Sequence, residues 1–226
     1  MNHNADFNQR AVVHSASLNW VASPMAGVDR RILDRMGDEV ARATSVVRYA
    51  PGSHFSPHVH TGGEEFLVLE GVFQDEHGDF PAGSYIRNPP TSRHAPGSEP
   101  GCIILVKLWQ FDLADRTHVH IDTHKMQPIN VAERPDVRLI PLFHDDREDV
   151  RIELWAPGAA IEICNHKGLE IFVLEGAFAE GSEEFNVGSW LRLPARQAFM
   201  GTAGADGTKV WIKSDHLEFP PLAPLA

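Results

Sequence analysis

The stretch HVHTGGEEFLVLEG, residues 58–71, combines possible metal ligands with residues that favour β-strands. In an extended strand, residues two apart point to the same side, so His58 and His60 would project together. Two glycines follow and permit a tight turn, because glycine tolerates a positive φ. Glu64 then begins the next strand and can point back at both histidines. The stretch therefore predicts a strand, a turn and a second strand that gather two imidazoles and a carboxylate.

The strand-forming part of this stretch has a second copy later in the chain. FLVLEGVF begins at residue 66, and IFVLEGAF begins at residue 171. Two further blocks recur in the same order: APG at 50–52 and 156–158, and GSYIRNP at 83–89 with GSWLRLP at 188–194. A period of more than 100 residues is too long for a solenoid, whose repeats reach about 50. We therefore expect two tandem domains, residues 1–114 and 115–226.

Both copies consist of short runs of Val, Ile, Leu, Phe, Tyr and Trp separated by clusters of Gly, Pro, Asp and Ser. This pattern is typical of an all-β sandwich or barrel. Helical signals are scarce. A short helical turn fits only Met25 to Val40, best within Arg30–Met36, and Gly27 and Gly37 frame it. The sequence therefore predicts an all-β fold with one short helical turn at most.

The composition restricts the possible functions. The formal net charge of −11 opposes binding to nucleic acid and to acidic membrane surfaces, because both need a basic patch. No apolar run approaches the roughly 20 residues of a membrane span, and no secretory signal is evident. Two separate cysteines, Cys102 and Cys164, fit a reducing compartment and exclude a Cys-rich zinc module. We expect a cytoplasmic protein that binds neither nucleic acid nor membrane.

A third candidate histidine, His94, lies in the proline-rich loop NPPTSRHAPG, residues 88–97. Neutral imidazoles with a carboxylate suit zinc, iron, manganese or nickel. Glu65 competes with Glu64 as the carboxylate, but it should face the other side of the strand. His54 lies in the same region; it could orient a ligand imidazole or lie at the surface, and we favour the surface.

With His94 included, the sequence resembles a known superfamily. The first motif of the cupin superfamily is matched at every spacing by Gly52, His58, His60, Glu64 and Gly71, and the second more loosely by Pro81, Gly83 and His94. More narrowly, YAPGSHFSPHVHTGGEEFLVLEG, FPAGSYIRNPP and PGCIILVKLWQ are similar to the cupin-like domain of ChrR, an anti-sigma factor for an extracytoplasmic-function (ECF) sigma factor. The similarity covers residues 18–111 and returns, weaker, over 137–213.

This resemblance implies two tandem cupin domains, each a small double-stranded β-helix or jelly-roll barrel. It also implies one divalent metal ion in the first domain, held by His58, His60, Glu64 and His94. Zinc is the metal that the resemblance favours, while iron, manganese and nickel stay possible.

The second copy departs from the metal motif. Our alignment places Cys164, His166 and Glu170 opposite the first two histidines and the glutamate, with one residue fewer before Gly176. Phe199 falls opposite the fourth ligand. A Cys/His/Glu set could hold a soft metal, but the apolar fourth position favours a degenerate domain whose interior is filled by side chains.

Another group alternates along THVHIDTH, residues 117–124, and would share one strand face: His118, His120, Asp122 and His124. No family motif supports it as a ligand set. We favour an exposed strand beside the link between the domains.

The resemblance leaves two functions open. The first is ChrR-like regulation or sensing, with an ECF-type sigma factor as a possible partner. Only about 17 residues precede the cupin pattern and the chain contains no CxxC, so we expect the sensor part without the sigma-binding zinc module. The second is a mononuclear iron-dependent dioxygenase that cleaves a diketone or hydroxyketone, as related small cupins do. Either function would involve a small-molecule ligand.

A third possibility is that both domains are purely structural, although such a role would not require the four ligand residues at these spacings. Cupins commonly dimerise through sheet edges, which would cover otherwise unpaired strands. We therefore also expect a homodimer.

Overall fold

The computed structural model describes residues 1–38 and 40–218, and nearly all of its regular structure is β-strand. The strands of the first half of the chain are β1 (Asn2–His3), β2 (Ala11–His14), β3 (Val21–Ala22), β4 (Val28–Gly37), β5 (Ala41–Tyr49), β6 (Ser53–His54), β7 (His58–Val59), β8 (Glu64–Asp75), β9 (Gly78–Pro81), β10 (Ser84–Asn88), β11 (Arg93–His94), β12 (Gly97–Ser98) and β13 (Cys102–Leu108). Those of the second half are β14 (Val119–Asp122), β15 (Ile129–Val131), β16 (Arg134–His144), β17 (Asp149–Trp155), β18 (Ala160–Ile163), β19 (Leu169–Glu180), β20 (Glu183–Asn186), β21 (Ser189–Leu193) and β22 (Phe199–Ser214).

Helical structure is limited to two 3₁₀ turns among the described residues, Ser15–Ser17 and Thr123–Lys125. No described segment is a helix long and apolar enough to cross a membrane. The all-β prediction is confirmed.

The described chain forms two compact units, which do not coincide with a single cut at residue 114. The first unit contains Met1–Ala5 and Leu18–Lys125, and the second contains Asp6–Ser17 and the chain from Met126 onward. The end of the predicted second domain, residues 219–226, lies outside the described residues.

The units differ from the predicted domains because each takes one edge strand from outside its own repeat. The first unit includes a strand that precedes the second copy in sequence, and the second unit includes a strand that precedes the first copy. Strand β14 pairs with β10 in the first unit, with Val119 opposite Arg87. Strand β2 pairs with β21 in the second unit, with Ala11 opposite Arg192. In both cases the added strand covers a sheet edge that would otherwise be unpaired.

All strand pairs are antiparallel. The larger sheet of the first unit follows the order β1-β4-β5-β13-β8-β10-β14, with β3, β6, β9 and β12 attached beside this path. Strands β7 and β11 form a separate two-stranded sheet. The sheet of the second unit follows β15-β16-β17-β22-β19-β21-β2, with β18 and β20 attached.

The repeated sequence block forms the same central strand in both units. Strands β8 and β19 have identical patterns of burial along their length. Phe66 and Val68 point into the core of the first unit, as Ile171 and Val173 do in the second. Alternate apolar residues thus provide one buried face, as the period of two in a β-strand requires.

Strand β8 is strongly curved. A straight strand of its length would separate its ends by roughly 36 Å at about 3.3 Å per residue. Nevertheless, the carboxylates of Glu64 and Asp75, at its two ends, lie 3.5 Å and 3.2 Å from the two ring nitrogens of His94. Gly71 sits in the middle with φ +72°, where the backbone of Gly101 approaches closely. This curvature is what positions the site described below.

The predicted helical turn within Met25–Val40 is wrong, because β4 occupies most of this stretch as a strand. Gly27 precedes the strand and Gly37 is its last residue, with positive φ values of +81° and +111°. Strand β4 pairs with β5 along its whole length, so tertiary pairing overrides the local helical tendency. Within the stretch, Glu39 lies outside the described residues.

Substitution of Gly71 by alanine tests the role of the curve in β8. A Cβ at Gly71 would lie 2.0 Å from the carbonyl oxygen of Gly101, whereas a Cβ at Gly52, with nearly the same φ, would have no neighbour within 4 Å. We expect Gly52→Ala to lower the free energy of unfolding by about 1–2 kcal/mol, the cost of the left-handed backbone alone. Gly71→Ala should lower the free energy of unfolding by a clearly larger amount, as measured by urea unfolding. Equal losses in the two variants would show that the close approach does not matter.

Candidate metal centre

Three histidine side chains meet in the first unit. The ligand nitrogens of His58, His60 and His94 all lie within 4.8 Å of one another, and their ring centroids are 4.5–5.1 Å apart. Pairing of β7 with β11 sets His58 directly opposite His94. The backbone of His60 bonds to that of Ser92, which anchors it against the same loop. The proline-rich loop therefore delivers His94 to the site, as predicted.

The hydrogen bonds of His60 define which nitrogen faces the site. The Ser92 hydroxyl donates its one proton to the carbonyl oxygen of Pro89 at 2.6 Å. Its oxygen must then accept from His60 Nδ1, which lies 3.1 Å away. We therefore assign the proton of His60 to Nδ1 and the free lone pair to Nε2.

The other two histidines show the same arrangement. His94 Nδ1 lies 3.2 Å from the carboxylate of Asp75, and His58 Nδ1 lies 3.4 Å from the backbone carbonyl oxygen of Ser56. Both oxygens can only accept, so each Nδ1 carries the proton and each Nε2 is left with its lone pair. Oxygen acceptors of this kind hold metal-binding imidazoles in a fixed tautomer and orientation.

The buried nitrogens at the centre suit a metal ion. Nε2 of His60 and Nε2 of His94 are both buried and make no hydrogen bond to any described residue. They lie 3.3 Å and 3.5 Å from Glu64 Oε2, which Asn88 holds by a hydrogen bond of 3.3 Å. Unpaired buried polar atoms are costly, and a cation would satisfy both lone pairs and the carboxylate together. The donor set therefore fits a divalent metal.

The local electrostatics act differently on the two buried histidines. Burial lowers the pKa of His60 below its usual value, despite the nearby charge of Glu64. Burial also disfavours protonation of His94, but the hydrogen bond to Asp75 and the charge of Glu64 outweigh it and raise the pKa of His94. The pKa of Asp75 is lowered, because hydrogen bonds from His94 and a backbone amide outweigh the effect of burial. Asp75 is thus a carboxylate well suited to orient His94.

A cavity of about 360 Å³ reaches the candidate metal centre, where His58, His60 and Glu64 form part of its wall. Much of its wall is apolar, including Val28, Val47, Ile104, Val106, Leu108 and Trp109. Tyr49 also lines it, and burial, followed by the charge of Glu64, raises the pKa of the Tyr49 hydroxyl well above its usual range. A small molecule in this cavity could reach the metal-binding side chains.

The two glycines of the turn are needed for different reasons. Gly63 has φ +78°, as expected for a tight turn. At Gly62 the requirement is space, because a Cβ would lie 2.1 Å from the ring of Trp109. The sequence predicted the first requirement and could not reveal the second.

Two titratable residues near the motif, Glu65 and His54, do not join the site. Glu65 is buried on the other side of β8, where it accepts a hydrogen bond of 2.7 Å from the Tyr85 hydroxyl. His54 is exposed and lies 2.7 Å from Glu99. The sequence-based preference for Glu64 over Glu65, and for a surface position of His54, agrees with these contacts.

The alternating group at 117–124 lies largely on β14, at the edge of the first sheet. His118, His120 and His124 are exposed, and His120 packs edge-on against Phe80. Asp122 pairs with Lys125. Among the described residues, this group does not bring three ligand atoms together as the site in the first unit does.

The alignment of the second copy around its candidate site was wrong by one residue. Strand pairing sets Ile163 opposite Phe199, the pair that corresponds to His58 and His94. Our alignment placed the missing residue of the second copy between Glu170 and Gly176. The strand pairing places it earlier, between Ala160 and Ile163. A slip of one residue turns every side chain of a strand to its other face.

Glu170 is consequently the counterpart of Glu65, and Leu169 stands at the position of Glu64. Glu170 accepts a hydrogen bond of 3.1 Å from Trp190 Nε1 and lies 2.7 Å from His216 Nε2. Its carboxylate is therefore engaged on the face away from any site like that of the first copy.

Cys164 and His166 are both exposed, and Asn165 between them takes the position of His60. The Asn165 amide donates to the backbone oxygen of Pro194 and so links the two segments of this loop region. Phe199 is fully buried in an apolar core. In the part of the chain that the structure describes, Cys164, His166 and Glu170 are not gathered into a ligand group.

Three residues that support the site were not predicted. Ser92 and Asn88 lie in the quoted loop of residues 88–97, where polar side chains close to a candidate ligand are a usable signal. Asp75 belongs to no motif, and only the curvature of β8 brings it to His94.

Comparisons with known proteins agree with this architecture. Residues 8–112 match the family model described as the ChrR cupin-like domain. No curated protein matches the chain by sequence.

Solved structures share the fold across nearly the whole chain. A Nostoc punctiforme protein provisionally described as a dioxygenase has a TM-score of 0.76 at 14% identity, covering 97% of this chain and 87% of its own. A protein of Pseudomonas aeruginosa provisionally described as glyoxylate-induced has a TM-score of 0.74 at 15% identity, covering 99% and 96%. The bacterial pirin YhhW from Escherichia coli, in complex with nickel(II), has a TM-score of 0.63 at 14% identity, covering 95% and 100%. At these identities the likeness concerns the fold alone. The chain therefore has the cupin fold, and its residues 8–112 match the model of the ChrR cupin-like domain.

Proposed function

We propose that the first copy holds one divalent metal ion on His58, His60, Glu64 and His94 and receives a small molecule beside it. The observation that carries this proposal is the common tautomer of the three imidazoles, each with Nδ1 bonded to an oxygen and Nε2 left free. A polar cluster with a purely structural role would satisfy its own lone pairs, because buried polar groups are generally hydrogen-bonded. Here two buried nitrogens have no hydrogen bond within the described chain.

The bound metal would supply Lewis acidity and a template for orienting a ligand. The protein side chains would position the ion and shape the ligand site. The three imidazoles and the carboxylate would fix the position of the ion, and Ser92 and Asp75 would fix two of the imidazoles. The apolar cavity wall would exclude water from the ligand. We favour zinc, with iron, manganese and nickel as the alternatives, because donor types alone do not select among these ions.

Within this proposal, the favoured role is ChrR-like sensing, in which ligand binding at the metal is communicated to a protein partner. The family match at residues 8–112 supports this role, and an ECF-type sigma factor is the candidate partner. The second copy would then be a degenerate domain that contributes packing surface, consistent with its filled interior.

A dioxygenase is the second candidate, and the cavity is the observation that favours it. A six-coordinate ion on four protein ligands would keep two positions for other ligands. The cavity beside the histidines is large enough for a small diketone or hydroxyketone. Fold similarity to the Nostoc protein is consistent with this alternative.

Metal analysis tests the centre itself. We expect protein purified without a metal-binding tag to contain one zinc ion per chain by mass spectrometry, and His94→Ala to lose it because a buried ligand is missing. The matched control is His120→Ala, which removes an exposed histidine and should retain the metal. Circular dichroism would establish that both variants are folded. Equal metal content in folded His94→Ala and in the control would contradict the proposed ligand set.

The supporting role of Asp75 can be tested separately. Asp75→Asn removes the charge that orients His94, so we expect metal affinity to fall by about tenfold or more in a chelator competition. Asp79→Asn removes a carboxylate that accepts a side-chain hydrogen bond from Gln74 elsewhere in the unit, and its affinity should equal that of the unchanged protein. If Asp75→Asn binds as tightly as Asp79→Asn, His94 does not depend on Asp75.

Oxygen consumption distinguishes the two roles. If the protein is a sensor, the iron-loaded form should consume no oxygen with a panel of small diketones and hydroxyketones. Consumption that depends on substrate and disappears in His94→Ala would replace the sensing role by the dioxygenase. The zinc-loaded protein serves as the control, because zinc has no redox chemistry.

A further inference from the structure

Two arginines of β4 line the cavity above the histidine group. Arg30 and Arg35 are separated by an odd number of positions and would point to opposite faces of a regular strand. The pairing of β4 with β5 shifts register between Ile32 and Asp34, and this β-bulge returns Arg35 to the face of Arg30. Bulges commonly re-aim side chains beside functional sites.

The residues next to Arg30 confirm its direction. Arg30 lies opposite Val47 in the neighbouring strand, and both line the cavity. The adjacent Asp29 points the other way and pairs with Arg48 at 2.6 Å. Arg31 also lies on that outer face, stacked over the ring of Trp20 at 4.1 Å. The cavity therefore receives Arg30, while its neighbours do not enter it.

The carboxylate of Glu64 also lines the cavity, but it faces His60 and His94 and, within the described chain, makes no ion pair with either arginine. Within the described chain, the Arg30 side chain makes no ion pair and no hydrogen bond. Arg35 donates to the backbone oxygen of Asp38, which carries no formal charge. Burial, with the neighbouring charge of Arg30, lowers the pKa of Arg35, although the charge of Asp38 opposes this shift. Two like charges are thus held close together in a chain whose net charge is −11.

We propose that the ligand of this cavity is a small organic acid whose carboxylate binds Arg30, with Arg35 adding to the attraction. A guanidinium matches a carboxylate through two parallel hydrogen bonds, which gives orientation as well as affinity. The apolar wall would cover the hydrocarbon part of the acid, and a volume of about 360 Å³ limits it to a small molecule. This names the ligand class of the proposed site. Contact of the acid with the metal rests on the proposed function, whereas its binding to Arg30 does not.

Calorimetric titration tests this assignment with matched pairs of probes: acetate, 2-oxobutanoate and benzoate, each against its neutral amide. We expect the full-length protein to bind at least one acid tenfold or more tightly than its amide. Arg30→Gln should abolish this preference. Arg31→Gln, which removes an arginine of the same strand from its outer face, should preserve it.

The titrations should be repeated on chelator-treated protein, with metal content measured in each sample. The assignment is supported if the protein prefers acids over amides both with and without metal, and if Arg30→Gln removes this preference in both cases. Acids and amides that bind alike, or a preference that survives Arg30→Gln, overturn it even if the metal is present. Absence of metal from the unchanged protein would count against the proposed metal centre alone, because the Arg30 charge does not depend on it.

Discussion

The contact of His94 with both ends of β8 is the constraint on which the candidate metal centre depends. One imidazole nitrogen meets Asp75, and the other faces Glu64. Only a strand that curves through the barrel can bring its first and last residues to the same ring. Gly71 permits that curvature, because glycine tolerates its positive φ and has no Cβ to collide with the close backbone of Gly101. The ligand geometry is thus a consequence of barrel closure.

The second copy shows that this backbone does not require a metal. Strand β19 has the same curve, with Gly176 at φ +72°. At the position of His94, the ring of Phe199 packs at 5.4 Å from that of Phe178. An apolar side chain thus occupies the position of a candidate ligand, and each buried aromatic side chain contributes about 1.5–3 kcal/mol. The fold is therefore supported by packing in both copies, while among the described residues a group of side chains that could hold a metal ion is gathered in the first copy.

The places where sequence-based prediction was wrong have one physical cause, which is strand register. The residues of Arg30–Met36 form a strand because β5 pairs with them, and local sequence carries no information about that partner. In the second copy, the sequence permits the missing residue to be placed on either side of Cys164. Pairing of Ile163 with Phe199 resolves the choice and removes Cys164 from the interior.

The sequence by itself determined the all-β class and the duplication, which follow from strand periodicity and from the repeated blocks, and its resemblance to the cupin motif predicted the gathering of His58, His60, Glu64 and His94. Tertiary structure alone decided how β2 and β14 are distributed between the units, the orienting role of Asp75, and the entry of Arg35 into the cavity. These features depend on strand curvature, on a bulge and on pairing between distant segments. Long-range contacts set all three, and no local pattern of residues records them.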